Sequence, residues 1–101
     1  MKIRDSITPA ELDFSRRFAE NLRRERQAAG LSQQALGLLM GLSEKTAQRT
    51  VLKWEHCERM PTAFYVRLIC NALGCTPGDL IPDIPPTWNE PRKGTNSDEI
   101  A

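Results

Sequence analysis

A chain of 101 residues is long enough for one domain with a single core and too short for two domains with sizeable cores. Its hydrophobic share of 40% and charged share of 27% are ordinary for a globular protein, and no apolar run is long enough to span a membrane. The formal net charge is only +1, so any binding of nucleic acid must depend on where the basic residues cluster.

The sequence contains few of the groups that an enzyme uses for catalysis. It has a single histidine, His56, and no paired carboxylates, nucleophile–base set or glycine-rich phosphate loop. Cys57, Cys70 and Cys75 form neither a metal-ligand spacing nor a full disulfide framework, so we expect reduced thiols, with Cys70 and Cys75 in the core. Because the N-terminus lacks the apolar core of a signal peptide, we also expect a cytoplasmic protein. Since no catalytic or phosphate-binding motif is found, we expect no cofactor and no small-molecule substrate.

The first helix has a clear start. Residues 1–7 are predicted to be a flexible arm, and the capping box in residues 8–11, with proline at the first helical position, starts a helix that runs to about Ala29. Gly30 ends it. Its buried edge is expected at Phe14, Phe18 and Leu22. The remaining surface is expected to carry Arg16, Arg17, Arg23, Arg24 and Arg26.

The stretch from residue 32 to 56 contains two helix patterns that meet at a glycine. Ser32 can cap a short helix from about Gln33, and Gly41 supplies the positive φ that ends it. Ser43 can then cap a second helix. The short helix that starts at Gln33 is expected to bury Leu36, Gly37 and Met40. The second has an apolar stripe at Ala47, Val51 and Trp54, and opposite it lie three cations spaced four residues apart, Lys45, Arg49 and Lys53.

Two shorter helices follow. Thr62 is a candidate N-cap for a helix to about Leu73, which Gly74 ends, and residues 76–79 start one more turn, with Leu80 and Ile81 closing the core. We therefore predict five helices and no strand in residues 8–81. Residues 82–101 are predicted to be a proline-rich tail that is largely extended or disordered, in which Ile84 and Trp88 pack on their own domain or on a dimer mate.

The central motifs resemble a known family. Residues 30–37 (GLSQQALG), 40–43 (MGLS) and 51–55 (VLKWE), together with Pro61, are similar to the Cro and phage-repressor type, or XRE-like, helix-turn-helix family. The similarity covers roughly residues 14–81. It implies an all-α, five-helix repressor-like DNA-binding domain whose second motif helix enters the major groove.

The sequence departs from the family pattern in length. Ser43 and Glu55 are twelve residues apart, whereas the family spacing is eight, and Cys57 stands where the family has a glycine. The four extra residues could enlarge the turn or lengthen the recognition helix. Residues 44–47 contain no glycine, proline or asparagine, and four residues are about 1.1 helical turns, so we predict a longer helix that carries Lys45 along the groove.

The candidate DNA-binding residues lie at the start of the first motif helix and along the basic face of the second. Arg49 and the lysines can pair with guanine or phosphate, Gln48 with adenine, and the threonines with phosphate or a thymine methyl. The resemblance implies that Gln33 contacts backbone phosphate. The full set is Gln33, Gln34, Lys45, Thr46, Gln48, Arg49, Thr50 and Lys53.

These features predict a sequence-specific transcriptional regulator. We expect a homodimer that binds a palindromic operator in double-stranded DNA and represses by occupancy, with part of the dimer surface between the last helix and Trp88. The alternative is a protein-interaction module, such as an antitoxin or bridging factor. Leu38 and Leu39 bear on this choice, because the family usually has polar residues there. One of them is expected to pack under the lengthened recognition helix, or both mark a contact surface.

Overall fold

The computed structural model describes residues 8–84, and within them the chain forms five α-helices and no strand. This confirms the predicted all-α fold. No helix in this part of the chain is long and apolar enough to cross a membrane. The predicted arm and the tail beyond Ile84, including Trp88, lie outside the described residues. The helices are α1 (Pro9–Ala28), α2 (Gln33–Leu39), α3 (Ala47–Glu55), α4 (Ala63–Leu73) and α5 (Pro77–Leu80).

Helix α1 begins at the capping box expected from the sequence. The Thr8 hydroxyl accepts from the Glu11 N–H at 3.1 Å, and the Glu11 carboxylate accepts from the Thr8 N–H at 2.9 Å. Each bond satisfies a donor that the first turn of a helix leaves free. Phe18 and Leu22 are fully buried, as predicted, but Phe14 is only half-buried because it lies nearer the helix start.

One core joins α1 to the other helices. Helix α3 packs against both α1 and α2, α4 packs against α2, and α5 packs against α1 and α4. The buried side chains that α1, α2 and α3 contribute include Phe18, Leu22, Leu36, Met40, Val51 and Trp54. Those from α4 and α5 are Val66, Ile69, Cys70 and Leu80.

Helices α4 and α5 also begin and end near the predicted residues. The Thr62 hydroxyl accepts from the Tyr65 N–H at 3.3 Å, and Gly74 ends α4 with φ of 71°. Helix α5 is held on α1 because the Asn21 side-chain amide donates to the Leu80 carbonyl at 2.8 Å. Leu80 is fully buried, but Ile81 is 39% exposed, so the expectation that both close the core is wrong for Ile81. Ile81 follows the last turn of α5 in extended backbone, so it is no longer part of the helix that packs on the core.

Within the described residues all three cysteines are free thiols. Cys70 is buried and Cys75 half-buried against the core, which agrees with their predicted role as small apolar residues. Burial and the neighbouring Cys70 raise the pKa of the Cys75 thiol to about 12. Such a thiol stays protonated near neutral pH and packs as an apolar group.

Candidate nucleic-acid interface

Helices α2 and α3 touch through their backbones at Gly37. A Cβ placed on Gly37 would lie 2.6 Å from the Ala47 Cβ and 2.7 Å from both the Ala47 Cα and carbonyl oxygen. Only a glycine fits that gap, because real Cβ contacts of this kind do not fall below about 3 Å. The pair therefore fixes the distance between the two motif helices.

The turn between these helices starts as the sequence predicts. Gly41 has φ of 96°, and the Leu42 N–H donates back to the Gly37 carbonyl at 3.0 Å. This is the usual way in which a glycine just past a helix satisfies the last carbonyls.

The predicted lengthening of the recognition helix is wrong for residues 44–46. They form a separate turn, in which the Ser43 carbonyl accepts from the Thr46 and Ala47 N–H groups at 3.1 and 2.8 Å. The Ser43 hydroxyl hydrogen-bonds the Thr46 hydroxyl at 3.0 Å, so it does not cap α3. Residues 43–46 are all exposed, and without tertiary packing helix propensity alone is too weak to hold one more turn.

Because α3 begins at Ala47, one predicted contact residue changes place. Lys45 lies on the exposed turn and not on the face of α3, so the three cations do not form a single line along one helix. The apolar stripe is as predicted: Ala47 and Val51 are fully buried, and Trp54 nearly so.

The outer face of α3 carries the remaining predicted residues. Gln48 and Arg49 are exposed in its first turn, and Thr50 and Lys53 are half-exposed further along. At 100° per residue, Arg49 lies almost opposite the buried Ala47 and Val51. None of these four side chains has a hydrogen bond or ion pair within residues 8–84. The structure thus presents one amide, one hydroxyl and two cations together, free to meet a ligand.

A buried ion pair holds the other end of α3. Glu55 is only 3% exposed, and its carboxylate accepts two bonds from the Arg26 guanidinium, at 2.6 Å from Nε and 3.0 Å from Nη2. Arg26 also donates to the Leu31 carbonyl at 2.9 Å, and Arg23 donates to the Glu55 carbonyl at 3.1 Å. The expectation that Arg26 lies on the exposed surface of α1 is therefore wrong.

Sequence reasoning missed this pair, although a signal for it exists. Burial by itself raises the pKa of Glu55, but the hydrogen bonds from Arg26 and Gln33 and the charges of Arg26 and Arg23 outweigh it and lower that pKa. An acidic residue in the last turn of a helix is disfavoured by the helix dipole. Glu55 beside the buried Trp54 could therefore have indicated a cation from another helix.

Gln33 belongs to the same network. Its side-chain Nε2 donates to Glu55 Oε1 at 3.1 Å, which connects the start of α2 to the end of α3. An amide nitrogen carries two hydrogens, so one N–H remains for another acceptor. Gln34 is half-exposed beside it. Contact of either glutamine with phosphate stays a prediction.

The chain leaves α3 through Cys57, which has φ of 61° where a glycine is the usual residue. The Glu58 N–H donates to the Lys53 carbonyl at 2.9 Å, and the Cys57 thiol contacts the Ser15 carbonyl at 3.7 Å. The first bond requires the left-handed conformation, and the second anchors the cysteine on α1. Cys57 therefore adopts the left-handed conformation that glycine adopts most easily.

Leu38 and Leu39 are 41% and 61% exposed at the end of α2. The expectation that one of them packs under α3 is wrong, because α3 begins at Ala47 and does not extend over them. They are left as an apolar patch next to the turn.

A comparison with known protein families agrees with this geometry. No curated protein matches the chain. A family model described as helix-turn-helix matches residues 22–80, which is more than half of the 101 residues and includes α2, α3 and the network at Glu55. The chain therefore belongs to the helix-turn-helix family of the Cro and C1 type, a family of DNA-binding regulators.

Proposed function

We propose that this DNA-binding protein is a sequence-specific transcriptional repressor that places α3 in the major groove of an operator. The observation that carries the proposal is the outer face of α3, where Gln48 and Arg49 project from a helix whose opposite edge is fully buried. A side chain can discriminate bases only when its backbone is held still. Here α3 is fixed at its start by the Gly37 contact and at its end by the Glu55 ion pair.

The proposed roles follow from side-chain chemistry. Arg49 would donate to a guanine edge and Gln48 would pair with adenine, since these are the bidentate matches of each group. Thr50 and Lys53, half-exposed along the same helix, would contact a thymine methyl or the groove walls.

The contacts with the phosphate backbone of DNA are proposed at the two edges of the motif. Lys45 and Thr46, on the exposed turn, would reach phosphates on one side of the groove. Gln33 would give its second amide hydrogen to a phosphate on the other side, with Gln34 next to it. Because Glu55 already holds the Gln33 amide, that donor needs no reorientation on binding.

One recognition helix reads few base pairs, so we propose that two copies bind a palindromic operator as a homodimer. Occupancy of a promoter by such a dimer would repress transcription.

The direct test is selection of bound sequences from random duplexes with the 101-residue chain. We expect two inverted half-sites roughly 10 base pairs apart, centre to centre. Arg49→Ala should then weaken binding to the selected site by about 1–3 kcal/mol and relax preference at one position. Lys45→Ala should weaken all sequences alike and reduce the salt slope.

A matched control is Arg24→Ala, since Arg24 is another exposed arginine but lies on α1 away from the motif. It should leave affinity for the selected site within about twofold of the wild type. If the Lys45, Arg49 and Lys53 triple alanine variant binds the selected site as well as the wild type, the assignment is wrong.

A second candidate function is supported by the exposed pair Leu38 and Leu39. Apolar side chains at the end of a motif helix can dock another protein, as in an antitoxin or bridging factor. The two functions differ in salt dependence: DNA binding weakens steeply as salt rises, whereas an apolar protein contact does not. If the chain is a protein-interaction module, Leu39→Asp should abolish partner binding. If it is a DNA-binding repressor, Leu39→Asp should leave operator affinity unchanged.

A further inference from the structure

A groove lies between the first two turns of α1 and the segment that follows α3. Its volume is about 670 Å³, and its lining residues come from residues 12–16 on one side and residues 56–60 on the other. Sites that bind small molecules have volumes of roughly 300–1,000 Å³, so this groove has the size of one. The outer face of α3 contributes no lining residue, so the groove is separate from the candidate nucleic-acid interface.

Every charged residue that lines the groove within residues 8–84 is basic. Arg16 comes from α1 and Arg59 from the segment after α3, so a guanidinium group lines each side. Both side chains are exposed, and neither makes an ion pair or hydrogen bond within residues 8–84. Asp13, which lies three residues before Arg16, is already paired with Arg17 at 3.1 Å. The groove therefore presents two cations that have no acidic partner in the described part of the chain.

Two apolar side chains line the groove as well. Leu12 and Met60 are 39% and 40% exposed. A bare inorganic anion would leave them in water, whereas an aromatic ring would cover them, which is favourable. A methionine thioether and a guanidinium both lie favourably against aromatic rings. The lining therefore fits a molecule that joins an acidic group to an aromatic ring.

A carboxylate is the acidic group that matches this set of cations. Its two oxygens pair with the parallel N–H donors of one guanidinium, and its single negative charge leaves the other guanidinium for the ring. The exposed His56 imidazole also lines the groove, and it carries an N–H donor in either protonation state.

The two sides of the groove are held together at Cys57. Its thiol contacts the Ser15 carbonyl at 3.7 Å, and both residues line the groove. The segment after α3 is also fixed by the Glu58 N–H, which donates to the Lys53 carbonyl at 2.9 Å. Because the sides are already in position, little free energy is lost to reorganisation when a ligand binds.

We propose that this groove binds a small aromatic carboxylate. One guanidinium pairs with the carboxylate and the other lies against the ring, while Leu12 and Met60 cover the apolar surface of the ring. A cavity of about 150 Å³ accommodates a benzene ring, so the groove has room for the ring, its carboxylate and water. The molecule is a ligand and not a substrate, and its binding does not depend on the DNA-binding function proposed above.

The test is an NMR titration of the full 101-residue chain that follows the backbone amide shifts. Phenylacetate is the probe. Acetate supplies the charge without the ring, and phenylacetamide supplies the ring without the charge. We expect phenylacetate to shift the amides of residues 12–16 and 56–60 saturably, with a Kd on the order of 1 mM or below. Acetate and phenylacetamide should bind at least about tenfold more weakly.

Substitutions of exposed residues test which side chains hold the probe. The double variant Arg16→Gln, Arg59→Gln should weaken phenylacetate binding at least about tenfold, because it removes both guanidinium groups. Met60→Gln should weaken it at least about threefold, because it removes the apolar contact with the ring. Arg24→Gln is the matched control. It removes an exposed arginine of α1 that does not line the groove, so affinity should stay within about twofold.

Three results would overturn the inference: no saturable shift with phenylacetate, equally tight binding of acetate, or wild-type affinity in the double arginine variant. A short nonspecific DNA duplex distinguishes a free ligand from a backbone phosphate. If the duplex displaces phenylacetate, the two arginines belong to the DNA interface and the inference is also overturned. If phenylacetate stays bound on the duplex, or if it binds to a chain that binds no DNA, the inference stands.

Discussion

Replacing Gly37 with alanine tests the contact that sets the spacing of the two motif helices. The added methyl would lie 2.6 Å from the Ala47 Cβ and 2.7 Å from two backbone atoms of the same residue. A side-chain atom could rotate away, but a Cα and a carbonyl oxygen move only if the whole of α3 moves. The substitution therefore forces the helices apart or bends one of them.

The size of the effect follows from two opposing terms. Overpacking of this kind costs about 3 kcal/mol when backbone must move. Alanine in place of glycine within a helix raises the free energy of unfolding by about 1 kcal/mol, because alanine has the higher helix propensity. The free energy of unfolding should therefore fall by about 2 kcal/mol, which for a domain of this size lowers the melting temperature by roughly 8–16 °C.

Urea titration and thermal melting followed by circular dichroism would measure this loss. The control is Gly78→Ala in α5, where the nearest atom to an added Cβ is 3.7 Å away, so stability should stay the same or rise slightly. Adding Ala47→Gly to Gly37→Ala should restore only part of the loss, because the backbone contacts at 2.7 Å remain. A Gly37→Ala variant that melts at or above the wild-type temperature would refute the argument.

Three further substitutions test the fixed end of α3. Glu55→Gln should lower the free energy of unfolding by about 3 kcal/mol near pH 7, because it leaves the Arg26 guanidinium without its buried partner. Since pairing lowers the pKa of Glu55, its contribution is complete above the unfolded pKa and is lost as pH falls through the folded pKa. Urea titrations should therefore find a smaller gap between wild type and variant near pH 3 than near pH 7, and an equal gap would contradict the pairing. Cys57→Gly should leave the free energy of unfolding unchanged or raise it by up to about 1 kcal/mol. Glycine relieves the backbone strain at φ of 61°, but it also makes the unfolded chain more flexible, which offsets part of the gain. Cys57→Val should lower the melting temperature because a branched side chain is strained there, and a variant as stable as the wild type would refute that conformation.

The sequence by itself determined the helices and most of their ends. The capping box at Thr8, the cap at Ser32, and the glycines at 30, 41 and 74 act through bonds and dihedral angles within a few residues, so their outcome can be predicted without the rest of the fold. The apolar stripe at Ala47, Val51 and Trp54 was predicted for the same reason, since periodicity is local.

The start of α3 and the ion pair at Glu55 were decided only by the tertiary structure. Residues 44–46 have a composition compatible with a helix, but Ala47 is the first that packs on α2, and the exposed residues before it gain nothing by continuing the helix. Arg26 looked like one of several surface arginines, and only the folded chain brings it within 2.6 Å of a carboxylate 29 residues away. Both outcomes depend on which groups meet across helices, and the free energy of such contacts is absent from any local stretch of sequence.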